Sequence, residues 1–93
     1  MAVTKQLRIS GHVQGVGFRH CLAREARAHG LAGWVRNRRD GSVEALLQGD
    51  AAAVDKLITW ARRGPPAARV DCVEVQAEPG ETRYSGFEQK PTE

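Results

Sequence analysis

The spacing of the hydrophobic residues changes repeatedly along this 93-residue chain, and these changes limit the possible fold more than any other feature. Hydrophobic and polar residues alternate over 4–10, which predicts a half-buried strand. Over 18–29 the hydrophobic residues recur every fourth position, which predicts an amphipathic helix. The same two patterns return downstream. The predicted order is strand 4–10, helix 18–29, strand 31–38, strand 42–48, a helix between Asp50 and Gly64, strand 70–77, a turn at Pro79-Gly80 and a short strand 84–89.

This order of elements predicts an α+β fold. The sequence β-α-β-β-α-β is typical of a ferredoxin-like sandwich, an antiparallel sheet with two helices on one face. The composition, 41% hydrophobic and 27% charged, suits one globular domain over residues 1–93. In this topology the first two strands run parallel with the third between them, so their C-terminal ends meet at one edge of the sheet. That edge receives the loop after strand 4–10 and also Asn37, about 10 Å away across two strand spacings.

The loop after the first strand is suited to an anion. Residues 11–17 (GHVQGVG) hold three glycines, which allow successive backbone N–H groups to point into one concavity. The loop leads into a helix N-terminus, which favours negative charge, and Arg19 adds a bidentate cation there. The loop lacks the Lys of a phosphate-binding Walker A motif and the third glycine of a dinucleotide fingerprint. The alternative is a tight strand–helix connection with Arg19 in solvent.

Asn37 is the only asparagine of the chain, and it precedes an Asp40-Gly41 turn that predicts a hairpin. Such a residue often serves only the turn, but here it shares an edge with the glycine loop. The loop offers no Cys, Ser or Asp as a nucleophile, and we expect His20 to be solvated rather than a general base. A site of Arg, backbone N–H groups and Asn can bind and position but has little acid–base capacity. It suits acyl phosphates, because their carboxylate leaving group has a conjugate acid with a pKa near about 4.

The charge, the cysteine content and the hydropathy of the chain indicate which ligands and which cellular compartment to expect. Fourteen basic residues against 11 acidic ones favour small anions and also permit weak contact with nucleic acid. We expect Cys21 and Cys72 to be free, buried thiols, because no cysteine or histidine has metal-ligand spacing. No apolar run resembles a signal peptide or spans a bilayer, so we expect a cytoplasmic protein that binds no membrane.

Two segments resemble the signatures of the acylphosphatase family. Residues 11–19 (GHVQGVGFR) are similar to G-x-V-Q-G-V-x-F-R, and residues 33–44 (GWVRNRRDGSVE) are similar to G-x-V-x-N-x-x-D-G-x-V-E. The segment 60–70 and the closing Tyr84-Ser85-x-Phe87 also resemble that family. The resemblance covers nearly the whole chain without departing from the family pattern at any motif position.

The resemblance implies a ferredoxin-like enzyme that hydrolyses small acyl phosphates without metal or cofactor. It further implies that Arg19 binds the phosphate oxygens and that Asn37 orients the attacking water. Inorganic phosphate or sulfate would then compete with the substrate, and we expect a monomer. The implied backbone cradle for the phosphate consists of Gln14, Gly15, Val16, Gly17, Phe18 and Arg19. We expect the Gln14 side chain to brace the loop and the Phe18 side chain to lie in the core.

Two other functions remain open at this stage. Ferredoxin-like sheets also form RNA-binding modules, which stack bases on aromatic residues of central strands. The strands 4–10 and 42–48 have no aromatic residue, so we expect no nucleic-acid partner. A similar domain also opens the long hydrogenase-maturation carbamoyltransferases. No zinc-binding cysteine pairs follow in the sequence given, which favours a standalone enzyme.

Overall fold

The computed structural model of the protein describes residues 2–79 and 82–93. The elements follow the predicted order. They are β1 (Ala2–His12), α1 (Phe18–Ala28), β2 (Ala32–Asn37), β3 (Val43–Asp50), α2 (Ala51–Arg63), β4 (Arg69–Ala77) and β5 (Phe87–Gln89). The predicted boundaries are correct to within two residues, except that the last strand begins at Phe87 instead of Tyr84. The predicted turn at Pro79-Gly80 involves Gly80, which lies outside the described residues.

The five strands form one sheet in the order β4-β1-β3-β2-β5. β3 lies between β1 and β2 and pairs antiparallel with both, so β1 and β2 run in the same direction as predicted. Val43 of β3 pairs with Ile9 on one side and with Asn37 on the other. The C-terminal ends of β1 and β2 therefore lie two strand spacings apart at one edge, which is where the candidate site was expected.

The predicted antiparallel sheet is correct for four strands, and the short final strand β5 makes the sheet mixed. β5 pairs with β2 in parallel, from Gly33 opposite Phe87 to Val35 opposite Gln89. β4 and β5 lie at opposite edges of the sheet, so the chain crosses from one edge to the other between them. β5 then runs parallel to β2. A hairpin pattern in the sequence cannot reveal a pairing of this kind, because the two strands are far apart along the chain.

The hydrophobic core lies between the two helices and one face of the sheet. Leu7 and Ile9 of β1 are fully buried, as the alternation predicts. The helices contribute their predicted stripes, and burying each large side chain contributes about 1.5–3 kcal/mol. The buried helical residues are Phe18, Leu22, Ala23 and Ala26 of α1 and Val54, Leu57, Ile58 and Ala61 of α2. The N-terminal cap of α2 is also as predicted, because the Asp50 side chain accepts a hydrogen bond from the amide of Ala52.

Two predictions of burial fail on the edge strand β4. The hydrophobic pattern of β4 predicts that Val73 and Val75 face inward, but Val75 is 39% exposed. Val70 and Val73 pack against the core, whereas Val75 lies further along the edge strand. Cys72 and Cys21 are free, as predicted, but Cys72 is exposed and Cys21 is only partly buried. Among the described residues, no helix is long and apolar enough to cross a membrane.

Two glycines with positive φ give a test of how closely the sheet is packed. At Gly33 (φ 133°) a Cβ atom would overlap the carbonyl oxygen of Leu46, whereas at Gly30 (φ 70°) a Cβ would meet nothing within 4 Å. We expect Gly33→Ala to lower the free energy of unfolding by about 3 kcal/mol or more, since it adds steric overlap to backbone strain. Gly30→Ala should lower it by about 1–2 kcal/mol, from backbone strain alone.

Urea denaturation of the wild type and both variants measures the difference. Equal free energies of unfolding for the two variants would show that β2 and β3 do not approach as closely as described.

Candidate active site

The glycine loop turns the chain from β1 into α1 through two residues with left-handed backbone. Gly15 has φ 75° and Gly17 has φ 79°, which L side chains rarely adopt. The space where a Cβ would stand is open at both positions. Gly17 precedes the first residue of α1, and no side chain caps that helix end. The first N–H groups of α1 have no partner within the helix, so they are available to an anion.

The side chain of Gln14 joins the loop to the β2–β3 hairpin, as the prediction of a brace required. Its Nε2 donates to the carbonyl oxygens of Arg38 at 2.6 Å and Ser42 at 2.8 Å. These carbonyls belong to the turn that follows Asn37. The two hydrogen bonds therefore hold the loop against the hairpin. Gln14 and Arg38 are 24 residues apart in the sequence.

The hairpin turn is itself held by its own polar groups. The Asp40 carboxylate accepts hydrogen bonds from the hydroxyl and the amide of Ser42, at 2.6 and 2.9 Å. The hydrogen bond from the Ser42 hydroxyl lowers the pKa of Asp40 below its usual value. The hydrogen bond from the Ser42 amide lowers that pKa further, with a smaller effect. Gly41 takes a positive φ of 95° in the turn. The Asp40-Gly41 signal in the sequence thus marks the turn correctly.

Arg19 lies in the first turn of α1 and is partly buried. Its Nη1 donates to the backbone carbonyl of Lys90 at 3.1 Å. Further along the same helix, Arg27 donates twice to the carbonyl of Phe87, at 2.8 and 3.3 Å. The segment that contains β5 is therefore attached to α1 at two points, and one of them restrains the Arg19 guanidinium. A guanidinium has five N–H donors, so this contact leaves others for a ligand.

Asn37 is the last residue of β2, and the position of its backbone is well defined. Its carbonyl accepts a hydrogen bond from the amide of Glu93 at 3.0 Å. Its side chain is different. Among the described residues, Asn37 Oδ1 is the one buried side-chain oxygen or nitrogen that has no hydrogen-bond partner. A buried acceptor left without a donor costs about 1–3 kcal/mol, so its persistence here calls for a functional reason.

These parts line one depression of about 270 Å³. The depression thus brings together Arg19, Asn37 and the two glycines that the sequence singled out. Gln14 and Val16 do not line it, because Gln14 turns to the hairpin and Val16 packs against the core. The lining residues are Val13, Gly15, Gly17, Phe18, Arg19, His20, Asn37 and Gln89. Phe18 is 1% exposed and packs against Trp60, with 5.6 Å between ring centroids, so it is a core residue as expected.

Gln89 is a lining residue that sequence reasoning did not identify. Its Nε2 lies 3.5 Å from Nδ1 of His20, which is exposed as predicted. Gln89 reaches the site because β5 pairs with β2, and no local pattern in the sequence signals that pairing. Neither residue belongs to a metal cluster: within residues 2–79 and 82–93, no three His, Cys, Asp or Glu side chains come together.

A larger depression, about 620 Å³, lies at the other end of the sheet near Thr4, Gln48 and Arg83. The Gln48 amide there is already hydrogen-bonded, to Thr4 Oγ1 at 3.1 Å and to the Thr82 carbonyl at 2.6 Å. Size therefore does not identify the site. The smaller depression is the better candidate, because it combines an unpartnered acceptor, a cation and the free end of a helix.

Comparison with known proteins shows the family of the chain. The sequence model of the acylphosphatase family matches residues 5–89. An acylphosphatase of Paraburkholderia xenovorans is 55% identical over 86 residues, which cover 92% of this chain and 89% of that protein. The crystal structure of acylphosphatase from Bacillus subtilis superposes with a TM-score of 0.91 at 33% identity, over 97% of this chain and 99% of that one.

The same fold also occurs within a longer chain. The crystal structure of full-length HypF in the phosphate- and nucleotide-bound form matches with a TM-score of 0.89 at 26% identity, over 99% of this chain but only 12% of that chain. The family match and the 55% identity to a protein of similar length decide the assignment. The chain belongs to the acylphosphatase family, whose activity is the hydrolysis of acyl phosphates.

Proposed function

We propose that this chain hydrolyses acyl phosphates in the depression between the glycine loop and the β2–β3 hairpin, with Arg19 on the phosphate and Asn37 on the water. The observation that carries the proposal is the buried, unpartnered Oδ1 of Asn37 beside the free N-terminus of α1. An acceptor and a set of donors that face one small space suit a water and a phosphate side by side.

The phosphate binds through charge and geometry. The backbone N–H groups of the loop residues that line the depression and of the first turn of α1 donate to its oxygens. The positive end of the helix dipole adds to the attraction. Arg19 contributes a planar, permanently charged fork that donates to two oxygens at once. Since its Nη1 is held by the Lys90 carbonyl, the guanidinium is oriented before the substrate arrives and little entropy is lost on binding.

The attacking water binds to Asn37. Oδ1 accepts one of its hydrogen bonds, which directs a lone pair of the water oxygen toward phosphorus. The water oxygen forms a bond to phosphorus, and the bond from phosphorus to the carboxyl oxygen breaks with its electron pair. The proton lost by the water passes to a phosphate oxygen. The carboxylate leaves without a proton, because its conjugate acid has a pKa near about 4, so the reaction requires no protein acid.

Catalysis in this scheme rests on position and electrostatics. Phosphoryl transfer spreads negative charge over the equatorial oxygens in the transition state, where Arg19 and the loop N–H groups bind it. The sheet holds the two halves of the site in register, and the Gln14 brace holds the loop against the hairpin.

An RNA-binding function has no support from the open face of the sheet. The residues of the central strands that point toward the core, such as Leu7 and Ala45, lie beneath the helices and are fully buried. The open face carries Trp34 on β2, but that ring is covered by Arg36 at 4.7 Å and Lys90 at 5.1 Å. The monomeric state and the cytoplasmic location stay predictions of the sequence, which sedimentation and cell fractionation would test.

Inorganic phosphate and sulfate should inhibit competitively against the acyl phosphate, because both anions fit the N–H groups of the loop and the Arg19 fork. Initial rates of acetyl phosphate hydrolysis at several phosphate concentrations measure the effect on KM and kcat. Chloride at matched ionic strength controls for general screening of the site. Equal inhibition by chloride, or a fall in kcat without a rise in KM, would contradict the phosphate site.

Replacing Arg19 and Asn37 should separate binding from turnover. Arg19→Ala should weaken phosphate binding and reduce kcat, and Arg19→Lys should recover little, since an ammonium cannot replace the fork. Asn37→Ala should reduce kcat by about 10²–10³-fold, the usual loss for one positioned polar group. It should leave the Ki of phosphate nearly unchanged and should not lower Tm, because it removes a buried acceptor that has no donor.

Two neighbours serve as matched controls for these variants. Arg24 is an exposed residue of the same helix as Arg19, and Arg39 is an exposed residue two positions after Asn37. Arg24→Ala and Arg39→Ala should keep kcat and Ki within about twofold of the wild type. If Asn37→Ala kept its kcat and lost phosphate affinity, the division of labour between Arg19 and Asn37 would be wrong.

A further inference from the structure

Glu44 is a buried carboxylate whose role the proposed mechanism does not explain. It lies on β3 with its side chain on the helix-free face of the sheet, and only 9% of that side chain is exposed. A buried charge is expensive unless it is paired and hydrogen-bonded. Glu44 meets both conditions, so its contacts indicate what it holds in place.

The Glu44 carboxylate binds three side chains. Its Oε1 accepts from Nε of Arg36 at 2.8 Å and from Nη1 of Arg38 at 3.3 Å. Its Oε2 accepts from Nε2 of Gln6 on the neighbouring strand β1. Arg36 is also the direct register partner of Glu44 across the β2–β3 pair. One carboxylate oxygen therefore binds two arginines, Arg36 in β2 and Arg38 directly after β2.

These two arginines flank Asn37 in the sequence. Side chains alternate along a strand, so Arg36 lies on the helix-free face while the side chain of Asn37 lines the depression on the other. Because Asn37 Oδ1 has no hydrogen bond, the direction of that side chain depends on the backbone that carries it. Arg38 extends the effect, because its carbonyl accepts the hydrogen bond from Gln14 that braces the loop.

We propose that Glu44 is a positioning residue: its carboxylate, paired with Arg36 and Arg38, fixes the backbone around Asn37 and so aims Asn37 Oδ1 at the attacking water. This inference rests on the function proposed for Asn37. An error of about 1 Å in the placement of a reacting group can reduce a rate by about 10²-fold. Loss of the pairing should therefore affect turnover more than phosphate binding, since the loop and Arg19 bind the phosphate.

The test compares Glu44→Gln, which keeps the shape of the side chain and removes its charge, in two backgrounds. In the wild-type background we expect kcat to fall about tenfold with the Ki of phosphate unchanged. In the Asn37→Ala background the same change should have no further effect on kcat, because the residue it positions is gone. All rates are measured well below the Tm of each variant. Glu74→Gln, on the exposed edge strand β4, controls for the loss of one carboxylate and should leave kcat unchanged.

A spectroscopic signature accompanies the kinetics. Asn37 is the only asparagine of the chain, so a protein labelled with ¹⁵N-asparagine gives one pair of side-chain amide signals in an NMR spectrum. We expect Glu44→Gln to shift or broaden that pair, and Glu74→Gln to leave it in place.

Two results would overturn the inference. One is an unchanged kcat in Glu44→Gln. The other is the same fold-loss of kcat in both backgrounds together with a lower Tm, which would mean that Glu44 only stabilises the sheet. The Asn37→Ala variant separates these outcomes from a failure of the proposed function. If that variant alone keeps its full kcat, the role of Asn37 is wrong whatever Glu44 does.

Discussion

Two hydrogen bonds from the Gln14 amide hold the candidate site together. They run from the glycine loop to the carbonyls of Arg38 and Ser42, at 2.6 and 2.8 Å. The loop carries the N–H groups for an anion, and the hairpin carries Asn37. Each segment is shaped by local chemistry, the loop by glycines with positive φ and the hairpin by the Asp40–Ser42 turn. The sheet brings the two segments to one edge, and a side chain with two donors on one nitrogen holds the loop against the hairpin at the distance that an in-line reaction requires.

Three locally unfavourable features lie at this edge of the sheet. The helix α1 begins after Gly17 without a side-chain cap and has the cation Arg19 in its first turn, and Asn37 Oδ1 is a buried oxygen that has no donor. Each of these arrangements lowers stability when considered alone. Such conflicts are expected where a ligand is meant to complete the interactions. The hydrophobic core beneath this edge includes the fully buried residues Leu7 and Leu57. Burial of this core compensates for the stability that the unfavourable features cost.

Most of the fold was predictable because its signals are local. The stripes of both helices, the Asp50 cap and the Asp40-Gly41 turn each depend on neighbours in the sequence. The meeting of the glycine loop and Asn37 was predictable because the order of the strands brings both to one edge. The features that the sequence did not predict depend on contacts between residues far apart in the chain. They are the parallel pairing of β5, the exposure of Val75 and Cys72 on an edge strand, and the presence of Gln89 at the site. The network around Glu44 was missed for the same reason, since Gln6 reaches it from 38 residues away.

In the proposed mechanism one depression holds a phosphate on the loop and a water on Asn37. The direct test of this arrangement is a crystal structure of the protein with bound phosphate. We expect the anion within hydrogen-bond distance, about 2.7–3.2 Å, of the loop N–H groups and of two Arg19 nitrogens. We also expect an ordered water donating to Asn37 Oδ1 on the open side of the phosphorus. Phosphate bound elsewhere with the loop empty, or Asn37 Oδ1 directed away from the anion, would contradict this arrangement.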